Sequence, residues 1–275
     1  MRVGNIGREY PAVLDKDNKI RSLKNYINDL DPQNLKIDIL DKLKKIDFNT
    51  LPEVASNERI GPCVSKPGKF LGIGLNFSDH AKEQNLPIPK EPIVFSKTAS
   101  SIVGPYDDII IPKNSHKTDW EVEIAFVVGK KAKNISVEDS INHIFGYCLI
   151  DDISERTFQK DRGGQWIKGK SADTFGPIGP YIVTADEIPD VQNLKMFLDV
   201  NGKRMQDGNT SNMIFNINYI LSYLSNFMTL LPGDIITTGT PPGVGDSKNP
   251  PTYLKRGDKM RLGIDLLGEQ IHYVK

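Results

Sequence analysis

Two glutamates placed two residues apart inside Trp120-Glu121-Val122-Glu123-Ile124-Ala125-Phe126-Val127-Val128-Gly129 constrain this chain more than any other feature. The run is apolar and β-branched and reads as a strand. Strand side chains alternate faces, so Glu121 and Glu123 point one way while Val122, Ile124, Phe126 and Val128 line the opposite, core-facing side. Like charges so close repel each other and resist burial unless a proton or a cation lies between them. On a solvated strand face the repulsion is screened and the pairing carries no function. A second strand-like run, Gly146-Tyr147-Cys148-Leu149-Ile150, ends in Asp151 and Asp152 and so supplies a third carboxylate. Two glutamates and an aspartate without a His or Cys cluster suit a hard divalent ion such as Mg²⁺ or Mn²⁺ rather than zinc, and such an ion keeps positions open for substrate. The local pattern does not choose between Asp151 and Asp152.

The bulk properties fit a small-molecule enzyme. A chain of 275 residues can bury a substantial core. Its 35 basic and 35 acidic residues cancel, so no net field draws it toward nucleic acid or an anionic membrane. Cys63 and Cys148 are its two cysteines, which argues against a disulfide framework and for a reducing compartment. No run approaches the ~20 apolar residues of a membrane span, and the N-terminus lacks a leader pattern, so the expected location is cytoplasmic.

Along the chain, a small leading module over 1–66 precedes a larger body over 67–275, with the join near Pro62 to Pro67. Met1 to about Asp15 reads as short strands and Leu23 to Lys45 as modest helices. From Phe70 onward, β runs are punctuated by Gly, Pro and Asn: Phe70 to Leu75, Pro92 to Lys97, Asp108 to Ile111, Trp120 to Val128, Ile144 to Asp151, Ile178 to Val183, Leu194 to Val200, Asp234 to Thr238, Lys259 to Ile264 and Gln270 to Val274. Asn216 to Met228 is the clearest helix, with Ile217, Ile220, Leu221, Leu224 and Phe227 on one face. The chain is therefore a mixed α+β protein dominated by β structure.

Gly72-Ile73-Gly74-Leu75-Asn76-Phe77-Ser78-Asp79-His80-Ala81-Lys82-Glu83 leaves a strand through glycines and opens a short helix. Three residues apart on a helix, His80 and Glu83 share a face, and the carboxylate can orient the imidazole and raise its basicity. A surface ion pair is the plain alternative. Two more segments have the composition of an anion site. Gln165 to Pro177 can hold a lysine over a site, and Thr237-Thr238-Gly239-Thr240-Pro241-Pro242-Gly243-Val244-Gly245 offers hydroxyls and N–H groups to a carboxylate or phosphate. The second lacks the Lys-Ser/Thr ending of a nucleotide P-loop.

Together these segments resemble the fumarylacetoacetate hydrolase family from about Phe70 to the C-terminus. The resemblance rests on the stretch ending at Glu83, the Glu121-Val122-Glu123 strand, Gly146-Tyr147 leading to Asp152, Lys170-Ser171 and Thr238-Gly239-Thr240-Pro241. It implies a β-roll catalytic domain behind a small N-terminal α/β module, a homodimer, and one Mg²⁺ or Mn²⁺ per subunit on Glu121, Glu123 and Asp152. Gly163-Gly164-Gln165-Trp166 before Lys168-Gly169-Lys170-Ser171 is similar to members acting on 2,4-dioxo sugar acids, a subgroup often labelled ureidoglycolate lyase. The family also includes acylpyruvate hydrolases, oxaloacetate decarboxylases and isomerases. The implied chemistry is hydrolysis of a carbon–carbon bond in a 2-oxo acid, with His80 as base, Glu83 as its orienter, Lys170 stabilising negative charge and Gln159 positioning water. Arg156, Thr240 and Lys97 are candidate substrate contacts. Ser78 to Pro89 is expected to order over substrate as a lid. A silent dicarboxylate-binding protein is the reading from another class.

Overall fold

A computed structural model describes all residues, 1–275. Its centre is a six-stranded mixed sheet in the order Val183–Thr184, Ile144–Asp151, Val122–Val128, Ile235–Thr237, Phe70–Gly74, Ile93–Ser96. Val122–Val128 runs antiparallel to Ile144–Asp151, with Val122 opposite Asp151 and Glu123 opposite Ile150. This register brings the acidic end of one strand beside the acidic end of the other. Ile235–Thr237 lies antiparallel on the other side of Val122–Val128 and delivers the threonine loop to the same end of the sheet.

A four-stranded antiparallel sheet, in the order Lys203–Asn209, Lys195–Val200, Lys259–Ile264, Gly268–Tyr273, packs on one face of the central sheet. Ile124 and Phe126 meet Met196, Leu198, Met260 and Leu262 there. The helix Ile217–Phe227 closes that core with Ile217, Ile220, Leu221 and Leu224, and the Asn216 side chain caps it by accepting from Tyr219 N at 2.8 Å. Phe227, expected on the buried face, is 64% exposed and continues a ladder of Tyr219 and Tyr223 rings.

The opposite face of Val122–Val128 is buried as well. Ala125 and Val127 pack against Leu23, Ile27, Leu30 and Leu35 of the leading segment. The strand is therefore enclosed on both sides, and the face carrying the glutamates opens only at their end, into a cavity.

Several expected elements differ. In Leu23 to Lys45 the α-helix is Ile37–Leu43, because the Asp31 carboxylate takes the N–H groups of Gln33 and Asn34 and turns the chain instead. Asp108 to Ile111 makes a single bridge, Ile109 to Val274. Ile178 to Val183 is broken into a bridge of Ile178 to Ile150 and the short strand Val183–Thr184, since Pro180 between them has no N–H for a ladder. The polar strand Lys203–Asn209 was missed, although Asn201-Gly202, both at positive φ, marks its hairpin turn. No helix is long and apolar enough to cross a membrane.

Candidate active site

Glu121, Glu123 and Asp152 come together as expected, with one carboxylate oxygen from each lying within 4.8 Å of the others, all buried. The ambiguity at the strand end is resolved by geometry. Asp151 turns to accept Glu121 N at 2.9 Å, while Asp152 faces the glutamates.

Cations surround this cage. Lys170 Nζ lies 2.6 Å from Glu121 Oε2 and 2.5 Å from Asp152 Oδ2, Lys97 Nζ lies 2.6 Å from Asp152 Oδ1, and Arg156 Nη2 lies 2.6 Å from Glu121 Oε1. Burial alone would raise Glu121, but Lys170 and Arg156 hold its carboxyl far below the ordinary carboxylate range. Glu123 forms no ion pair of its own, and Lys170 offsets its crowding only in part. Its carboxylate accepts from the Thr237 hydroxyl and from Gly239 N at 2.9 Å. Burial and the charges of Asp152 and Glu121 push it well above the ordinary range. A third carboxylate crowded by two others, in an all-oxygen donor set, fits a hard divalent ion.

Short elements position the cations. Glu155 caps the helix Arg156–Lys160 by accepting Thr157 N at 3.0 Å, and Arg156 and Gln159 leave that helix toward the cavity. The helix Ile167–Lys170 crosses it at Gly169, where a Cβ would stand 2.5 Å from Gln159 Cβ and 2.6 Å from Glu155 O. A glycine there lets Lys170 approach the cage.

The second constellation opens onto the same cavity. The helix Ser78–Glu83 buries His80, whose Nδ1 lies 3.0 Å from Glu83 Oε2. The Gln84 amide, 2.9 Å from His80 Nε2, donates to it. With Nδ1–H given to the carboxylate, Nε2 carries the lone pair. Burial would raise Glu83, yet His80 and Gly243 N, at 3.0 Å, hold it below its ordinary range. Past Val244 the loop turns two more amides inward: Asp119 accepts Gly245 N at 2.6 Å and Asp246 N at 3.0 Å, and binds Arg156 through Oδ2 at 2.7 Å.

The cavity has a volume of about 610 Å³, and His80, Glu121, Glu123, Arg156, Gln159, Lys170 and Thr240 reach it. Lys97 does not line it. Buried behind Asp152, it is a charge partner of a cage carboxylate rather than a contact for substrate. The Thr240 hydroxyl donates to Val122 O and accepts from Gln206, and Thr238 donates to Ile124 O. The carboxylate that the threonine loop holds is the chain's own Glu123. Asp119 and Gln84 were not singled out from the sequence, where a lone Asp before Trp120 and a Gln after Glu83 give no pattern.

Residues 69–275 match the family model for the C-terminal domain of fumarylacetoacetate hydrolase. The chain belongs to the fumarylacetoacetate hydrolase family. A Burkholderia multivorans protein, whose hydrolase description is itself provisional, is 51% identical over 276 residues, covering 100% of this chain and 98% of that one. A fumarylacetoacetate hydrolase from Exiguobacterium antarcticum has a structure similar at a TM-score of 0.88, with 32% identity over 100% of this chain and 98% of its own. The maleylpyruvate hydrolase of Sphingobium sp. SYK-6, solved with manganese(II) and pyruvate, reaches a TM-score of 0.82 at 26% identity, covering 100% of this chain and 98% of that one. The expected β-roll fold of this family member is thus borne out, and its buried Glu121, Glu123 and Asp152 carboxylates are gathered as a divalent metal site requires.

Asp151 gives the family member a pH-dependent stability that can be measured without substrate. Burial raises its carboxyl to about 7, and Oδ2 has no hydrogen-bond partner. The folded state therefore holds a proton that the unfolded chain releases above the ordinary aspartate value, so stability is full below about pH 4 on this account and falls as pH rises to about 7. In metal-free protein, Asp151→Asn should remove a loss on the order of 3 kcal/mol between those limits. Denaturant melts of both proteins at pH 5 and pH 8 read the difference; parallel curves would mean that Asp151 does not titrate in this range.

Proposed function

We propose that the protein is a divalent-metal-dependent hydrolase that cleaves a carbon–carbon bond in a 2,4-dioxo acid and releases pyruvate. One observation carries the reading: Glu121 and Glu123 of the cage, Lys170 beside it and His80 of the His80–Glu83 pair line one cavity. Simple anion binding requires donors and positive charge but no oriented histidine. An Mg²⁺ or Mn²⁺ ion bound by the cage, one per subunit, supplies positive charge for the carboxylate and adjacent keto oxygen of a 2-oxo acid.

The chain's own groups supply the proton chemistry. With the Gln84 amide displaced from His80 Nε2 by water, that nitrogen takes a proton from the water as its oxygen attacks the C4 carbonyl. Glu83 holds the imidazolium. The C3–C4 bond then breaks, the acyl part leaves as a carboxylic acid, and the electron pair left on C3 passes into an enolate that is protonated to pyruvate. Lys170, whose charge is retained because Asp152 and Glu121 outweigh its burial, stabilises the negative charge. Gln159, fixed by Arg156 Nη1 at 3.1 Å, positions the water. Arg156 is spent on Asp119 and Glu121 and acts through the cage. The proposal includes a homodimer, which sedimentation of the purified protein tests.

The deciding assay strips the protein with EDTA, restores Mg²⁺ or Mn²⁺, and follows products from acetylpyruvate, a 2,4-dioxo-3-deoxy sugar acid, oxaloacetate and ureidoglycolate. Metal-dependent pyruvate release from the diketo acids is expected. Selective turnover of oxaloacetate would make the protein a decarboxylase, and glyoxylate with urea would make it a lyase. Tight oxalate binding without any turnover would leave a binding protein.

A further inference from the structure

We infer that the substrate carries an apolar group beyond C4, an alkyl or aryl chain rather than a polyhydroxylated one. This rests on the reading that the cavity takes a 2-oxo acid, and it departs from the sugar-acid specificity that the Gly163 to Trp166 segment suggests.

The first argument is the state of the polar groups. A polyol tail buried in this cavity would need a partner for each hydroxyl, since an unpaired buried hydroxyl is costly. Much of the side-chain capacity that could serve is already engaged, with the Gln159 amide N–H groups and Gln84 Oε1 left over. Gln159 Oε1 accepts from Arg156, the Thr240 hydroxyl both donates and accepts, Gln84 donates to His80, and Lys160 pairs with Asp246 at 2.6 Å.

The second argument is the wall. Ile73, Leu86, Ile88, Ile93, Phe95 and Trp166 line the cavity. Two glycines of the Phe70–Gly74 strand make room for its aromatic part: a Cβ on Gly72 would stand 2.2 Å from the Phe95 ring, and one on Gly74 would stand 2.3 Å from the Trp166 ring. The two rings meet at 5.6 Å between centroids, and Lys170 Nζ lies 4.9 Å over Phe95, so the apolar wall begins directly beside the cage. Around its mouth, Leu86, Ile88 and Ile93 are 46%, 59% and 37% exposed. An apolar chain leaving the cage would cover these side chains, and a hydroxylated one would lose water against them.

The wall sets the size of the effect. Each methylene buried against it should tighten binding and raise kcat/KM about fourfold. The test uses the full-length Mn²⁺-loaded protein with two series of compounds. Calorimetry measures the Kd of saturated 2-oxo acids from 2-oxobutanoate to 2-oxooctanoate, and pyruvate release measures kcat/KM for acylpyruvates of matching length and for a 2,4-dioxo-3-deoxy sugar acid. Kd should fall with each methylene, and the acylpyruvates should outperform the sugar acid. Trp166→Ala should flatten the slope, as should Ile88→Ser at its exposed position where folding is not at issue. A Kd that is flat or rises with length, or a sugar acid preferred over every acylpyruvate, would overturn the inference while leaving the hydrolase reading in place. Rising affinity with no turnover of any diketo acid would do the reverse: the apolar site would stand and the hydrolase reading would fall.

Discussion

In a His80→Ala protein, pyruvate release from a diketo acid should fall about 10²–10⁴-fold while metal affinity stays close to that of the wild type. His80 touches Glu83 and Gln84 and none of the three cage carboxylates, so its removal takes away a proton acceptor and leaves the oxygen donors in place. Enolate-forming decarboxylation of oxaloacetate consumes no water. It should therefore survive in the same protein far better than hydrolysis does. Paired rates for the two substrates, with a metal titration beside them, give the answer. An equal loss in both rates would mean that His80 shapes the cavity rather than serving as the base.

Glu123→Ala should show the opposite division, suppressing both reactions because it removes an oxygen ligand. The loss in metal affinity should exceed the ~10²-fold that even outer-sphere changes reach. The Thr237 hydroxyl and Gly239 N–H would lose their shared acceptor, so Glu123→Gln, which keeps an oxygen for them, separates a folding defect from a lost ligand. A pH signature accompanies the loss. Burial and two neighbouring carboxylates hold the Glu123 proton well above the ordinary range, so an incoming ion must displace it. Wild-type affinity should rise with pH through that range, and calorimetry in buffers of different ionisation enthalpy should detect a released proton that Glu123→Ala no longer provides. Unchanged affinity in both variants would remove Glu123 from the ligand set.

Glu121 and Glu123 were legible because the two-residue period of a strand places them on one face wherever the strand lies. His80 and Glu83 were legible through the equivalent helical period. Asp152 was different: Asp151 and Asp152 adjoin at a strand end, the local pattern left both open, and the family resemblance picked Asp152; the Glu121 N–H, which captures Asp151, supplies the physical reason. The engagement of each polar group was the least legible property. Lys97 behind Asp152, Arg156 bound to Asp119, and Thr240 bound to Val122 and Gln206 all have the right chemistry for a substrate contact. Their partners lie far away in sequence, so composition gave no sign that their capacity was spent. The fold showed the same division. Apolar runs announced their strands, whereas Lys203–Asn209 was hidden by its polar side chains and marked only by the turn before it.

The Gly243–Asp246 loop gives the two halves of the site a common datum. The Gly243 amide fixes the carboxylate that aims the imidazole, and those of Gly245 and Asp246 fix Asp119, which holds the guanidinium lying on Glu121. Proton handling and cation handling are thus indexed to a single stretch of backbone. A one-residue insertion there would shift both at once, so evolution can retune this enzyme through its apolar wall far more freely than through that loop.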